Sequence, residues 1–259
     1  KKRGVYSMNQ KKHSKELVQE IVMNAGLVLL EAGSEAFRVE DTMFRMAKRL
    51  GYPNNQCYVS STFINFALDI DDNIRVYRVK KRDTNLGNIH RVNNVSRMLE
   101  KEQISAEEAL KRILTIHNSP YPYSLPFKMV AAGLISVFFL YLFSGIKEDI
   151  IATFIAGAIG YCIVELLHSW TNVKFIAEIV AASVIALIAI WNQIITGGNT
   201  VNISIISAVM PIVPGVLITN AIQDLFLGQL LVGISKGLEA TFTSIAIGVG
   251  VGVVLLIFS

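Results

Sequence analysis

The stretch that decides the fold runs from Ile203 to Leu227 and reads ISIISAVMPIVPGVLITNAIQDLFL. As a helix rising 1.5 Å per residue, it is long enough to cross the ~30 Å hydrocarbon core of a bilayer. It nevertheless contains Pro211, Pro214 and Gly215, and it carries a carboxylate, Asp224, near its end. Irregular backbone survives at membrane depth only where it faces protein or a water-filled cavity. The stretch therefore favours a pathway through the membrane over a simple membrane anchor.

Four more apolar segments of about 20 residues surround this stretch and predict a membrane domain over residues 127–259. With the broken stretch as the fourth, we expect five transmembrane helices, at about 127–145, 149–168, 173–193, 203–227 and 236–258. Lys174 and Lys236 lie in the two loops on the side of the basic N-terminal half. The positive-inside rule then predicts a cytoplasmic N-terminal domain and a C-terminus outside.

Charge divides the 259-residue chain into unlike halves. Residues 1–128 hold 21 Lys and Arg against 14 Asp and Glu, whereas residues 129–259 hold 3 against 6. The basic half adjoins the first apolar segment, so membrane topology explains its charge better than nucleic acid does. No motif that combines basic and aromatic residues accompanies the charge, and we expect no nucleic-acid partner.

The first half is predicted to be a small soluble α+β domain over residues 14–118. Helical spacing covers Lys15–Leu30, a second helix that ends at Gly51, and the segments Asn85–Leu99 and Ser105–Ile116, while alternating β-branched and aromatic residues predict an antiparallel sheet from Cys57–Phe63, Asn65–Asp69 and Ile74–Val79. Residues 119–126 form a linker stiffened by three prolines. Residues 1–13 are a tail in which Met8 is a natural start, so residues 1–7 are a cloning remnant or an extension. The fold class is thus a membrane α-helical bundle preceded by a soluble α+β domain.

The sequence of the soluble half shows no catalytic motif. Its histidines lack a Ser or Cys nucleophile elbow, and no Gly-rich phosphate loop is present. The two cysteines, Cys57 and Cys162, are too few for a disulfide framework or a metal site, and reduced thiols suit a cytoplasmic domain. The apolar run Ile21–Leu30 leads into Glu31 without a cleavage site, unlike a signal peptide. We expect no enzyme activity, no cofactor and no metal.

The two prolines of the broken stretch have a chemical consequence. Because proline has no N–H, Pro211 should free the carbonyl of Ser207, and Pro214 that of Met210. Freed carbonyls and half-helix ends are the parts with which transporters hold substrates or ions near the midplane. The alternative is a packing kink, since proline and glycine are tolerated in membrane helices.

Asn220 and Asp224 are four residues apart and share a helix face. Asp224 also falls at the same predicted depth as a histidine and three glutamates of the other apolar segments, namely Glu165, His168, Glu178 and Glu239. Such a ring is either a cytoplasmic vestibule or proton relay, or a set of interfacial side chains that reach water, with Lys174–Glu178 and Lys236–Glu239 as ordinary helix pairs. We favour function for Asp224 and the interfacial reading for Glu178.

Two groups of motifs resemble the threonine/serine exporter family, from about residue 14 onwards. One is LLEAGSEAFRVEDTM at 29–43, followed by NLG at 85–87 and VNNVSR at 92–97. The other is PIVPG at 211–215 and TNAIQDL at 219–225, followed by Gly228, Gly233 and LEA at 238–240. Single-chain members of that family carry about ten spans, so the length resembles the larger chain of its split, two-chain exporters, one type of which is linked to succinate export.

The resemblance implies secondary export of small polar metabolites, either threonine/serine-type amino acids or dicarboxylates such as succinate, across the bacterial inner (plasma) membrane. The motif positions in the membrane half are Pro211, Pro214, Gly215, Thr219, Asn220, Asp224 and Glu239. Those in the soluble half are Glu31, Gly33, Arg38, Glu40, Asn85, Gly87, Asn93 and Arg97. The resemblance leaves the role of the soluble half open, with a gate or a regulatory module favoured over an enzyme.

The odd number of spans predicts that the pathway needs a second copy or a smaller membrane subunit of the same family. We expect a coupling ion, H+ by preference, with Asp224 as its group and the Pro211–Gly215 break as the substrate seat. Two alternatives stay open at this point. One is a sensor or hydrolase that acts through residues 8–118 and is merely anchored in the membrane lipid. The other is an ion channel.

Overall fold

The structure is a computed structural model, and it describes residues 13–79, 83–119, 123–170, 175–197 and 200–258. The chain divides into two compact units. The first combines Lys1–Pro120 with Ile218–Gly237, and the second combines Tyr121–Leu217 with Leu238–Ser259. The linker prolines Pro120 and Pro122 and the loop cation Lys174 lie outside the described residues.

Ten α-helices and three strands make up the described part of the chain. In order they are α1 (Lys15–Glu31), α2 (Ala36–Arg49), β1 (Gln56–Val59), β2 (Phe63–Ala67), β3 (Arg75–Arg78), α3 (Leu86–Glu100), α4 (Ala106–His117), α5 (Leu125–Leu142), α6 (Ile150–Trp170), α7 (Ile176–Thr196), α8 (Val201–Val209), α9 (Gly215–Phe226) and α10 (Leu230–Phe258). Two 3-10 turns, Lys147–Asp149 and Met210–Ile212, precede α6 and follow α8. The mainly helical fold class is confirmed, together with the small sheet.

The first unit is built on a core between α1–α4 and one face of the sheet. The strands pair antiparallel in the order β1-β2-β3, with Cys57 opposite Phe66 and Ile64 opposite Tyr77. The predicted first strand is too long, because the chain turns after Val59 and re-enters the sheet at Phe63. Val232 of α10 is 1% exposed and belongs to this same core. An apolar residue from the C-terminal quarter thus helps to complete it.

Most helices of the first unit begin at a residue whose side chain accepts a backbone N–H. Ser14, Asn85 and Ser105 cap α1, α3 and α4 in this way. The helix α2 is different, because its N-cap residue Glu35 makes no such bond. Its first N–H groups therefore need a partner from elsewhere in the chain.

The second unit contains the apolar helices. Of the helices that the structure describes, four are long and apolar enough to cross a membrane: the 3-10 turn with α6 (Lys147–Trp170), α5, α7 and α10. The pair Val201–Ile212 and Gly215–Phe226 passes the same test together and is bent by 62°. The described part of the chain therefore contains four candidate spans, or five if this bent pair counts as one.

Small residues allow these helices to approach closely at some positions and not at others. Ala182 and Ala186 are fully buried in the core of the second unit. On α10, however, Gly248 and Gly252 border open space, and the close contact is made at Gly250, where a Cβ would lie 2.4 Å from the Ile179 carbonyl oxygen. The closely packed face of α10 is therefore the one that carries Gly250, and not the one that carries Gly248 and Gly252.

The boundary of the first unit differs from the predicted one. All of residues 127–259 were expected in the membrane domain, but Ile218–Gly237 is compact with the soluble residues. The length of α10 is consistent with this assignment, since 29 residues span about 43 Å, well beyond a ~30 Å hydrocarbon core. The physical reason lies in the buried polar side chains that this segment carries.

Candidate functional site

The centre of the candidate site in the first unit is a buried ion pair. Asp224 on α9 is fully buried, and Lys236 on α10 is 3% exposed. The Lys236 Nζ donates to Asp224 Oδ2 at 2.8 Å. The backbone N–H of Ala36 donates to the other oxygen, Oδ1, at 3.1 Å. Both carboxylate oxygens are therefore engaged, one by a cation and one by the start of a helix.

This second contact supplies the cap that α2 lacks in its own sequence. Ala36 is the first residue of α2, and its N–H is one of the donors left unpaired by the helix itself. A carboxylate at this end also meets the positive end of the helix dipole, worth about 0.3–1 kcal/mol at the surface and up to ~2 kcal/mol when partly buried. Asp224 thus caps a helix 188 residues away along the chain.

The turn between α1 and α2 is held by the same segment. Asn220 Nδ2 donates to the Gly33 carbonyl oxygen at 2.9 Å, and Lys236 Nζ lies 3.5 Å from the Ser34 carbonyl oxygen. Gly33 has φ +83°, and a Cβ there would lie 3.3 Å from the Asp83 carbonyl oxygen. Glycine is required here because other residues rarely adopt this backbone conformation. Its left-handed conformation ends α1 and directs the carbonyl to Asn220.

The α9–α10 connection sets the spacing of Asp224 and Lys236. Gly228, at φ +84°, ends α9, and the N–H of Gln229 donates to the Asp224 carbonyl oxygen at 2.8 Å. One turn later, Gly233 packs so tightly that a Cβ would lie 2.6 Å from the Leu225 Cγ. The two helices therefore fold back on each other, which brings residues 224 and 236 into contact.

Glu40 on α2 is a second carboxylate of this site. Its Oε1 accepts from the Val59 N–H at 2.8 Å, and its Oε2 accepts from Gln229 Nε2 at 2.9 Å. Burial raises the pKa of Glu40 above its ordinary value, and these two hydrogen bonds partly oppose the rise. Ser61 and Ser235 hydroxyls, 3.3 Å apart, add a further polar contact to the same segment. The segment Ile218–Gly237 is thus hydrogen-bonded to α2, the α1–α2 turn and the sheet region.

The structure at the proline break agrees only in part with the prediction. Its bend is present, but the expectation of freed carbonyls is wrong. The Ser207 carbonyl accepts the N–H of Met210, and the Met210 carbonyl accepts that of Val213 at 3.3 Å. The 3-10 turn shortens the register from i+4 to i+3 and so re-engages both groups. At the start of α9, Gly215 is exposed and a Cβ there would meet nothing within 4 Å, while its N–H donates to the Val213 carbonyl oxygen at 2.8 Å.

The other predicted residues of the membrane half fall into separate pairs or positions. In the second unit, Lys128 Nζ contacts Glu165 Oε1 at 2.6 Å, and His168 Nε2 lies 3.2 Å from Glu178 Oε1. The remaining predicted members are Thr219, exposed on α9, Glu239, half-buried on α10, and Pro211 and Pro214, half-buried at the break. Asp224 belongs to the first unit, and Glu165, His168, Glu178 and Glu239 belong to the second.

The soluble motif residues fall into two groups. Gly33 and Glu40 contact the segment Ile218–Gly237 directly. The others serve local structure. Glu31 lies 3.8 Å from His117, Arg38 lies 3.7 Å from Glu35, Asn85 caps α3, Gly87 is exposed in the first turn of α3, and Asn93 and Arg97 lie further along it.

Sequence reasoning missed two residues that organise polar contacts. It treated Lys236 as a loop cation. A lysine that lies between two apolar runs could have indicated a buried partner. It did not select Asp149, the first residue of the second predicted segment. The structure buries Asp149 to 3% exposure and surrounds it with the side chains of Asn192, Thr200 and Ser204. Nothing in the spacing of these residues signals that contact.

Comparison with known proteins gives a consistent result over nearly the whole chain. The family model described as "Putative threonine/serine exporter" matches residues 20–258. Two similar proteins are both called "Probable succinate transporter subunit YjjP". The one from Escherichia coli strain K12 is 28% identical over 247 residues, covering 93% of this chain and 94% of that protein. The one from Klebsiella aerogenes is 26% identical over 255 residues, covering 94% and 95%. No solved structure matches the chain significantly.

Proposed function

This chain belongs to the threonine/serine exporter family, and we propose that within it the chain is one subunit of a secondary exporter of small polar metabolites. Membership of a transporter family and four or five spanning helices make it a multi-pass membrane transport protein. The exported compounds are threonine/serine-type amino acids or dicarboxylates such as succinate, the substrate in the name of the two relatives. The N-terminal unit lies in the cytoplasm, and the C-terminus lies outside.

The start of α9 supports a substrate seat for the shared chemical group of these compounds, a carboxylate. Backbone N–H groups at a helix N-terminus, with the helix dipole, bind anions. The first turn of α9 holds no acidic residue, and Gly215 leaves room at its start. The two prolines fix the bend that exposes this helix end within an apolar stretch. The break therefore acts through N–H groups rather than through freed carbonyls.

The observation that carries the proposal is the buried contact of Asp224 with Lys236 and Ala36. A buried ion pair that loses one charge leaves the other uncompensated, which costs several kcal/mol. Protonation of Asp224 would therefore release Lys236 and the cap of α2 together. In this proposal the coupling ion is H+, Asp224 is its group, and the soluble unit is a gate that follows the state of this contact.

A partner completes the pathway. The two relatives are named as transporter subunits, and four or five spans are half of what a two-repeat transporter uses. We infer a second copy or a smaller membrane subunit of the same family. The five apolar segments then supply one half of the pathway, and membrane lipid surrounds the rest.

The decisive experiment is counterflow of radiolabelled serine, threonine and succinate in liposomes, with and without the smaller subunit. The wild-type chain should give saturable counterflow of one of these compounds. Asp224→Asn and Pro214→Ala should each reduce it at least tenfold, whereas Asp41→Asn, in an exposed ion pair with Arg45 of the same unit, should not. The proposal fails if both test variants export like the wild type, or if single-channel current replaces counterflow.

A further inference from the structure

The second unit buries a carboxylate among neutral groups. Asp149, at the end of the 3-10 turn before α6, is 3% exposed. Asn192 Nδ2 donates to its Oδ1 at 2.7 Å, while Thr200 Oγ1 and Ser204 Oγ donate to its Oδ2 at 2.5 and 2.9 Å. All the side-chain contacts of Asp149 within the described residues are with neutral groups, so its negative charge is solvated but not neutralised.

Two more hydroxyls lie one helical turn beyond this carboxylate. Thr153 follows Asp149 by four residues on α6, and Ser207 follows Ser204 by three on α8, so each lies on the same face about 5–6 Å further along. They are 1% and 0% exposed, and neither hydroxyl oxygen has a hydrogen-bond partner among the described residues. A buried hydroxyl without a partner is destabilising, so two of them side by side call for an explanation, and a ligand that contacts their oxygens would supply one.

From Asp149, the hydroxyls of Thr153 and Ser207 lie in the direction of the proline break. Ser207 is three residues before Met210, where the 3-10 turn begins. Asp149 contacts the first turn of α8, and both Thr153 and Ser207 lie on the following turn of their helices. The polar groups therefore form a track inside the second unit, from the carboxylate to the bend before α9.

We propose that Asp149 is the entry site of a monovalent cation, Na+ or H+, and that Thr153 and Ser207 are its next oxygen ligands toward the break. A cation fits because it would neutralise the buried charge, and because the hydroxyls that donate to Asp149 keep lone pairs for it. The proposal rests on the proposed function, in which an H+ gradient drives export; a response to Na+ alone would replace H+ as the coupling ion and leave the rest of that function unchanged. It adds a site on the outer side, distinct from Asp224.

Few other titratable groups face this site. Lys147 and Glu148 lie on the same 3-10 turn and are exposed, and Tyr141 near the end of α5 is exposed. The helix α8 has no titratable side chain, and Glu178 of α7 lies 14 residues from Asn192, about 21 Å along that helix. The remaining titratable groups of α5 and α6, Lys128, Tyr161, Cys162, Glu165 and His168, lie further along their helices. A response to cation at this end can therefore be assigned to Asp149 with one nearby control.

The test uses the purified full-length chain in detergent. Its thermal unfolding is followed by circular dichroism while Na+ replaces choline at constant ionic strength and pH, and separately while pH falls in choline alone. We expect the melting temperature to rise with one of the two cations and to saturate. Glu148→Gln, one residue away and exposed, should respond as the wild type does. Asp149→Asn should lose the response to Na+ or, if the wild type responds only to pH, should show a smaller rise than the wild type, because groups elsewhere such as Glu40 still titrate. A wild-type chain that responds to neither cation, or an unchanged response in Asp149→Asn, overturns the proposal.

Thr153→Val and Ser207→Ala keep the test decisive if Asp149→Asn does not fold. Each removes a hydroxyl that has no partner, so the fold should be kept or stabilised. The cation concentration at half-saturation should rise about five- to tenfold. An unchanged half-saturation in both variants removes these residues from the site and overturns the track. If the two hydroxyls have only a structural role, the half-saturation should stay unchanged in both variants.

Transport separates this inference from the proposed function. In liposomes with the smaller subunit, Asp149→Asn should keep counterflow, which needs no ion gradient, and lose accumulation driven by a Na+ or pH gradient. Gradient-driven accumulation that survives in this variant overturns the inference alone. Absence of counterflow in the wild type contradicts the proposed function alone, because the cation response of the purified chain is measured without transport.

Discussion

Asp224 and Asp149 are both buried carboxylates, yet their surroundings differ in kind. Asp224, in the first unit, faces a lysine ammonium and the N-terminus of α2. Asp149, in the second unit, faces an amide and two hydroxyls. An ammonium neutralises the charge and locks the contact, whereas neutral donors solvate the charge and leave it able to attract a cation. Burial alone therefore does not distinguish a neutralised ion pair from a site that can bind a cation. The charge of the partners does.

The largest expected effect comes from removing the cation beside Asp224. Lys236→Met should lower the free energy of unfolding of the first unit by about 3–5 kcal/mol, because it leaves a buried charge uncompensated. The double variant Asp224→Asn/Lys236→Met should recover most of that loss. Chemical unfolding in detergent measures both. If the double variant is no more stable than Lys236→Met alone, the ion pair is not the reason for the loss.

A smaller loss is expected where no ammonium is present. Asp149→Asn should cost about 1.5–3 kcal/mol, the range for hydrogen bonds to a charged group, since the amide cannot accept three donors equally. The same unfolding measurement applies, with Glu148→Gln as the matched control. A loss as large as that of Lys236→Met would mean that Asp149 also has a charged partner and would remove the contrast between the two sites.

The α1–α2 turn, whose carbonyl groups contact Asn220 and Lys236, provides an intermediate test. Gly33→Ala should cost about 1–2 kcal/mol, because alanine disfavours the left-handed conformation seen at φ +83°. Gly215→Ala is the matched control, since Gly215 has no positive φ and its Cβ would meet nothing within 4 Å. Thermal unfolding of both variants decides the matter. Equal costs at the two positions would argue against the described geometry of the α1–α2 turn.

The smallest effect concerns Glu40, a carboxylate between these extremes because its partners are neutral and it is only half-buried. Its pKa is raised in the folded state, so the folded chain binds the proton more tightly than the unfolded one. The stability that Glu40 contributes is full below its unfolded pKa and is lost as pH rises through the folded pKa. Glu40→Gln should therefore gain stability relative to the wild type as pH rises through that window. A constant difference across the window would exclude the raised pKa.

The elements with strong local signals were predictable. The α4 helix begins directly after its N-cap residue Ser105, as the predicted segment Ser105–Ile116 indicated, and the Ser105 hydroxyl accepts the Glu108 N–H at 3.2 Å. The Glu108 carboxylate pairs with Arg112 at 2.7 Å. Periodicity and turn residues set the helices within a few residues, and the long apolar runs set the spans, because these signals act over short distances along the chain.

The candidate site was only partly predictable. Asp224 and Asn220 were singled out from their four-residue spacing, but their partners Ala36 and Gly33 are almost 190 residues away. Lys236 was assigned to a loop, and Asp149 was not selected at all. A one-dimensional pattern identifies a carboxylate in an apolar run, but it contains no information on which helix end or which hydroxyl lies beside it. The fate of the carbonyls at the break depended likewise on whether the chain formed a 3-10 turn.

By itself, the sequence determined that this protein is a membrane transport protein of the exporter family with a basic N-terminal half, several apolar segments long enough to cross a membrane and a break at Pro211–Gly215. Hydrophobic run length, proline chemistry and motif residues are local properties, so they can be read along the chain. Only the tertiary structure decided that Ile218–Gly237 packs with the N-terminal residues, that Lys236 neutralises Asp224, and that the side chains in contact with Asp149 in the described part of the chain are neutral. The energy of a buried charge depends on the groups around it in space, and folding alone brings those groups together.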